Sequence, residues 1–251
     1  MLSTIEWHNR YLQQARWTGS LRQYLYQKAG LQLASCVLEV GCGTGAVLKD
    51  FIEKDNLSIQ GLDISSAHLE LAKYTVPGAI LSLGDGHFLP YQTAVFDIAI
   101  CHFLLLWVKD PVAVVKEMVR VVKQQGAVLI LAEPDYGGRV DFPFELVRMG
   151  ELQSEALKRQ GAAPYIGRQI AKILKDSGLT DIETGVLGGE WQTNRKVVED
   201  WQREWDVFQA DVDGLVSEAD LQDIKHINDN AWKLGERTLY IPTFFGWGQK
   251  S

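Results

Sequence analysis

The stretch VLEVGCGTGAVL, residues 37–48, combines an acidic residue with closely spaced glycines. Glu39 stands two positions before Gly41, and Gly43 and Gly45 follow at alternate positions. Glycine tolerates positive φ and leaves no Cβ in the way of a ligand. An apolar strand that enters such a loop and then a helix is typical of nucleotide sites in α/β sheets. The stretch therefore predicts a ligand that contacts the backbone of residues 41–45.

The identity of that ligand depends on the acids around the loop. The pattern Gly41-x-Gly43-x-x-Ala46 matches the dinucleotide motif, but Glu39 would repel a pyrophosphate at short range and suits a cationic or amine-bearing ligand. Asp63 follows the loop by about 20 residues, where a bidentate acceptor can hold ribose hydroxyls. A capping or solvated acid is the alternative interpretation of Asp63.

A third acid, Asp85, lies in GDGHFLPY, where it could hold an adenine amino group. The three acids follow three successive predicted strands, so they converge on one crevice at the sheet edge. A ligand with a cationic centre, a ribose and an adenine fits them. S-adenosylmethionine has all three groups and no phosphate.

Apolar strand-like runs alternate with helical patterns along the chain, which indicates a parallel sheet covered on both faces. Gly126 is expected to separate a helix from the fifth strand. Strands are predicted at 36–41, 58–65, 79–85, 96–103, 127–134, 179–188 and 238–250. Helices are predicted within 5–29 and at 46–54, 66–74, 111–122, 143–160, 166–177, 194–209 and 217–234.

We expect residues 1–251 to form one domain. It comprises an N-terminal helical lid (1–30), a cofactor-binding half (31–137) and a second half (138–251) with helical cap insertions near 138–165 and 190–235. Tryptophans in the second half hint at an aromatic acceptor pocket, with core packing as the alternative. They are Trp191, Trp201, Trp205 and Trp232.

Composition excludes several classes of partner. The net charge of −7 and the absence of basic runs disfavour nucleic acid and anionic membranes. No apolar run approaches a membrane span, and the N-terminus lacks a secretory pattern, so we expect a cytoplasmic protein. The three cysteines do not have zinc-ligand spacing, and we predict no metal.

These motifs resemble the class I S-adenosylmethionine-dependent methyltransferases, and within them the small-molecule branch of ubiquinone and menaquinone biosynthesis. The resemblance runs from about Val37 to Glu133, through VLEVGCGTG, GLDIS, GDGHFLPY, FDIAICHFLLLWVKDP and VVKEMVRVVKQQGAVLILAEP. It implies an α/β, Rossmann-like, doubly wound seven-stranded sheet with an antiparallel last strand and helical cap insertions. It also implies S-adenosyl-L-methionine as cofactor.

The resemblance assigns Glu39 to the amino-acid end of the cofactor, Asp63 to the ribose, Asp85 and Gly86 to the adenine, and Cys101 to the methionyl pocket. The full set of implied cofactor contacts is Glu39, Gly41, Cys42, Gly43, Thr44, Gly45, Asp63, Ile64, Asp85, Gly86, His87 and Cys101.

Methyl transfer from a sulfonium is an in-line displacement that depends chiefly on alignment. A base assists when the acceptor is a hydroxyl or a carbon acid, and His102, after the fourth strand, is the candidate. A packed histidine is an equal alternative. Candidate acceptor contacts are Tyr11, Trp17, Glu133 and Tyr136, with helix packing or capping as their alternatives.

The sequence therefore predicts in-line methyl transfer to a small-molecule acceptor. One alternative is a catalytically silent protein that binds the cofactor as a regulatory or partner subunit. The other is an NAD(P)-dependent oxidoreductase that uses Gly41, Gly43, Ala46 and Asp63, although no Tyr-x-x-x-Lys motif follows. The identity of the acceptor, the methylated atom and the oligomeric state are open.

Overall fold

The computed structural model describes residues 3–188 and 197–251, without the side chains of residues 197–200. Its strands are β1 (Cys36–Val40), β2 (Ser58–Asp63), β3 (Ile80–Leu83), β4 (Phe96–Cys101), β5 (Val122–Pro134), β6 (Val140–Phe142), β7 (Thr180–Val186), β8 (Thr238–Tyr240) and β9 (Thr243–Gln249). Its α-helices are α1 (Thr4–Trp17), α2 (Gly19–Lys28), α3 (Ser66–Thr75), α4 (Pro111–Val121), α5 (Val147–Arg159), α6 (Ile170–Asp176), α7 (Val197–Asp211) and α8 (Glu218–Leu234).

Seven strands form one sheet in the order β3-β2-β1-β4-β5-β9-β7. Strands β1 to β5 pair with one another in parallel, whereas β9 runs antiparallel to both β5 and β7. The predicted α/β fold with a seven-stranded sheet and an antiparallel last strand is confirmed. Strand order reverses at β1, so β1 and β4 flank the crevice in which open α/β sheets bind ligands.

Both faces of the sheet are covered, as the continuous apolar strands predict. Val37 packs in a core with α2 and α3, while the next residue, Leu38, packs on the opposite face with α4 and α6. Successive strand residues point to opposite faces, so this split shows two apolar layers, one on each side.

The predicted helix at 46–54 is wrong, because the structure has only a 3-10 turn over Leu48–Phe51. Leu48 and Phe51 are both fully buried, and residues three apart point the same way in a 3-10 turn. Gly45, immediately before this segment, has a φ of 82°, so the chain is still in a left-handed turn there.

Two other predicted boundaries are also corrected. Gly126 does not break the fifth strand, since β5 continues through it with a register shift opposite Phe96 and Ile98. The predicted strand at 238–250 is split before Pro242, which has no N–H for a sheet ladder. Its first part, β8, instead pairs with β6 in a separate two-stranded sheet.

The cap contains α5, α7 and α8, which pack around a third apolar cluster. Trp201 and Trp205 are buried in that cluster, so core packing explains them better than an acceptor pocket does. Residues 189–196, with Trp191 and the predicted start of the second insertion, lie outside the described residues. Within the described ranges, no helix has the length and apolar content needed to cross a membrane.

A buried ion cluster joins the cap to the small sheet. Asp141 Oδ2 accepts from Arg139 Nε at 2.6 Å, and Asp141 Oδ1 accepts from Arg237 Nη2 at 2.5 Å. Arg237 also donates to Asn228 Oδ1 of α8 at 2.9 Å. Both Asp141 and Arg237 are buried, so loss of one partner leaves uncompensated charge out of contact with water.

We therefore expect Asp141→Asn to lower the free energy of unfolding by about 3 kcal/mol, the cost of breaking a buried ion pair. Chemical denaturation measures this change. Asp176→Asn is the control, because it removes only the exposed pair with Lys172 and should cost less than about 0.5 kcal/mol. Equal losses in the two variants would contradict the role of the cluster.

Candidate functional site

A cavity of about 450 Å³ opens at the carboxyl end of β1 and β2. The glycine loop and Asp63 form its sheet-edge wall. Helix α1 and the segment after β4 form its sides, and α5 and α7 contribute a wall from the cap. One cavity therefore borders both the predicted cofactor loop and the variable cap.

The glycine loop has the backbone conformation that its sequence predicts. Gly41, Gly43 and Gly45 have φ values of 73°, 52° and 82°, all in the left-handed region. A Cβ on Gly41 would lie 2.7 Å from Leu104 Cδ1, and one on Gly45 would lie 2.8 Å from Val76 Cγ2. Glycine is thus required here both for conformation and for close packing.

Glu39 is the most unusual residue of the site. It is buried at the end of β1 and lines the cavity, and its Oε2 has no hydrogen-bond partner. Burial raises the pKa of this carboxyl well above its ordinary value, although Arg22 opposes the shift. A buried unpaired carboxylate oxygen is costly unless a donor or cation reaches it. Glu39 is therefore suited to bind a cationic donor from a ligand.

Asp63 connects the second strand to the glycine loop. Its Oδ2 accepts from the Gly43 N–H at 2.7 Å, and its Oδ1 accepts from the Ser65 N–H at 2.9 Å. Asp63 lines the cavity, and carboxylate oxygens can accept more than one hydrogen bond each. It can thus hold the loop and still accept from ligand hydroxyls.

Several predicted cofactor contacts are not among the residues that line this cavity. Asp85 and His87 pair with each other, with 2.6 Å between Oδ1 and Nδ1, and His87 Nε2 accepts from the Asp110 N–H at 3.3 Å. Cys101 is fully buried in the core. Of the predicted cofactor set, the cavity walls include Glu39, Gly41, Cys42, Gly43, Asp63 and Ile64 but not Thr44, Gly45, Asp85, Gly86, His87 or Cys101.

His102 lines the cavity at the end of β4, as the sequence predicts, and a hydrogen bond with Thr18 fixes its ring. Its Nε2 lies 2.9 Å from Thr18 Oγ1, which also accepts from Arg22 Nη1 at 2.6 Å. Arg22 Nε in turn donates to Asp50 Oδ2 at 2.7 Å. Burial, with a smaller effect of Arg22, lowers the pKa of His102 to about 3. The neutral ring is a weak base.

Glu133, predicted as an acceptor contact, has a structural role instead. It is fully buried and accepts from the N–H groups of Leu104, Leu105 and Leu106 at 2.9, 2.7 and 3.2 Å. Burial raises its pKa to about 8 despite these hydrogen bonds. Both carboxylate oxygens of Glu133 hold the turn after β4, and Glu133 is not among the residues that line the cavity.

The other predicted acceptor contacts do not all lie at the cavity. Tyr11 and Tyr136 line the cavity, whereas Trp17 is 44% exposed and stacks under Arg10. Tyr11 packs over the loop, since a Cβ on Gly43 would be 3.2 Å from its ring. Burial, with a smaller effect of Asp63, raises the pKa of Tyr11 to about 12.

Sequence reasoning missed further residues of the cavity. Trp7, Arg10 and Gln14 line it beside Tyr11, and their spacing of three, four and seven along α1 is a signal that could have found them. Asp211, at the end of α7, has no such signal. Only the tertiary packing of the cap brings it to the cavity.

Comparison with known proteins finds a family match over part of the chain. Residues 38–130 match the methyltransferase domain family. The demethylmenaquinone methyltransferase of Thermotoga maritima is 35% identical over 96 residues, 38% of this chain and 42% of that protein. That of Bacillus licheniformis is 27% identical over 192 residues, 69% of this chain and 81% of that protein. The chain spans 51% and 65% of the length of the first curated relatives that it matches.

The comparisons therefore show a similarity to methyltransferases, and the family match covers residues 38–130 of the chain. A putative sarcosine dimethylglycine methyltransferase from Galdieria sulphuraria has the same fold, with a TM-score of 0.60 and 16% identity over 94% of this chain and 86% of that one.

The residues at the glycine loop fit S-adenosylmethionine better than a dinucleotide. The unpaired Glu39 Oε2 matches a ligand amino group, and Asp63 can accept from ribose hydroxyls. A pyrophosphate would instead require a helix N-terminus after the loop. Only the short 3-10 turn at Leu48–Phe51 follows, which provides little helix dipole.

We expect Glu39→Gln to weaken S-adenosylmethionine binding about 10- to 100-fold, because a charge-assisted hydrogen bond to the amino group becomes a neutral one. Calorimetric titration measures the change in Kd. Glu53→Gln, which alters an exposed carboxylate nearby, should bind as the wild type does. An unchanged Kd for Glu39→Gln would remove Glu39 from the cofactor site.

We expect the His102 ring to remain neutral from pH 8 down to about pH 5, since its pKa of about 3 lies well below that window. Ring nitrogen chemical shifts, followed by NMR across the titration, measure its protonation directly. A midpoint near the ordinary histidine value would show that the ring is solvated and available as a base.

Proposed function

We propose that this chain transfers the methyl group of S-adenosylmethionine to a small-molecule acceptor bound in the same cavity. The observation that carries the proposal is the buried, unpaired Glu39 oxygen in a cavity that also reaches the cap. Such an oxygen supports binding of the cofactor at the glycine loop. The remaining walls, from α1 and the cap, are then available to an acceptor.

A small acceptor suits the size and charge of the site. The cavity of about 450 Å³ falls within the range of small-molecule pockets. The net charge of −7 would repel the phosphate backbone of nucleic acid. A cytoplasmic location remains a prediction from the sequence.

The proposed transfer is an in-line displacement at the methyl carbon, for which S-adenosylmethionine supplies the activated methyl group. Glu39 and the glycine loop hold the amino-acid end of the cofactor, and Tyr11 covers the loop at Gly43. Alignment by these groups provides most of the effect that such a displacement needs.

His102 has a positioning role in this proposal. Its neutral ring is fixed by Thr18, and its low pKa makes it a poor acceptor of protons from a substrate. Acceptors whose nucleophilic atom already has an available lone pair are therefore favoured over those that need a strong base.

The proposal predicts formation of S-adenosylhomocysteine that depends on both protein and acceptor. The test incubates the purified chain and methyl-labelled S-adenosylmethionine with a panel of amines, phenols and hydroquinones, and follows labelled products by mass spectrometry. Glu39→Gln is the matched control and should lose turnover at subsaturating cofactor.

Tight cofactor binding with no labelled product from any acceptor would contradict the proposal. It would instead favour the alternative of a catalytically silent protein that binds the cofactor.

A further inference from the structure

The charges that line the cavity are predominantly negative. Among the described residues, three acids line it, namely Glu39, Asp63 and Asp211, with Arg10 as the one Lys or Arg side chain, and His68 and His102 line it as well. Arg10 is paired with Glu204. Glu39 and Asp63 are the acids proposed to hold the cofactor, so Asp211 is the acid left for the acceptor, and a cationic acceptor complements it better than an anionic one.

Asp211 is the acid on the cap side of the cavity, away from the glycine loop. Gln160 Nε2 donates to its Oδ1 at 3.0 Å, and Gln153 Nε2 lies 3.5 Å from its Oδ2. Both donors are neutral amides, and Arg10, which is paired with Glu204, also acts on the carboxylate electrostatically. Burial raises the pKa of Asp211, so a positive charge beside it would be stabilising.

Aromatic side chains accompany Asp211 around the cavity. Trp7, Trp107 and Tyr136 line the same walls. Burial raises the pKa of Tyr136, with smaller effects of Arg10, Asp211 and Arg139. Aromatic faces attract cations, and most strongly where water is excluded.

We propose that the acceptor carries a positively charged nitrogen, distinct from the atom that receives the methyl group, and that Asp211 is the residue that selects it. This inference rests on the proposed methyl transfer, since it names the chemical class of the molecule that shares the cavity with the cofactor. Asp211 contacts the ammonium group of the acceptor, and the aromatic side chains surround it. Neutral isosteres lose this contact and bind more weakly.

The test measures acceptor binding without turnover. The purified chain is saturated with S-adenosylhomocysteine and titrated calorimetrically with 2-phenylethylamine, histamine and spermidine, and with 2-phenylethanol as the neutral isostere of the first. We expect at least one amine to bind. If 2-phenylethylamine binds, 2-phenylethanol should bind at least tenfold more weakly. Asp211→Asn should weaken amine binding at least tenfold and leave the Kd of S-adenosylhomocysteine unchanged.

Two matched variants accompany Asp211→Asn. Asp211→Glu keeps the charge and should retain the preference for amines. Asp206→Asn changes an exposed acid of the same helix, held by Gln202, and should behave as the wild type does. Thermal melting of each variant shows whether the fold is retained.

The outcomes separate the two proposals. Failure of the wild type to bind S-adenosylhomocysteine would contradict the proposed function. Binding of S-adenosylhomocysteine without any amine, or amine binding that Asp211→Asn leaves unchanged, would overturn the inference alone. Binding of 2-phenylethanol as tight as that of 2-phenylethylamine would overturn it as well.

Discussion

The buried carboxylate of Glu39 is the constraint around which the site is organised. It lies on the central strand β1, opposite Gly61 of β2 and Ile100 of β4, where water has little access. An unpaired oxygen at such a position is costly. The domain retains this cost at the point where strand order reverses and ligands bind. A cofactor amino group that donates to this oxygen would remove the cost, so Glu39 favours cofactor binding.

The two N-terminal helices contribute to the site in different ways. Helix α2 is part of the core, where Leu25 and Tyr26 are buried, and its Arg22 connects Asp50 behind the glycine loop to Thr18 and thus to His102. Helix α1 supplies cavity residues instead. The segment predicted as a lid therefore combines a structural helix with a helix that forms part of the site.

Local patterns predicted the sheet edge well because strand ends of a parallel sheet converge wherever the strands are correctly placed. Glu39, the glycines and Asp63 meet in one cavity for that reason. Glu133 was predicted as an acceptor contact, since a strand end cannot reveal that three backbone N–H groups of the next turn occupy both oxygens. Asp211 was missed because its position depends on how the cap packs. The helix at 46–54 was overpredicted, since its pattern does not distinguish one buried 3-10 turn from a longer helix.

The most direct test of the central claim is a crystal structure of the chain with S-adenosylhomocysteine. The account predicts the ligand amino nitrogen at about 2.8 Å from Glu39 Oε2, the distance of a charge-assisted hydrogen bond. It also predicts the ribose hydroxyls against Asp63. A ligand placed elsewhere, or one that leaves Glu39 Oε2 without a partner, would contradict the account.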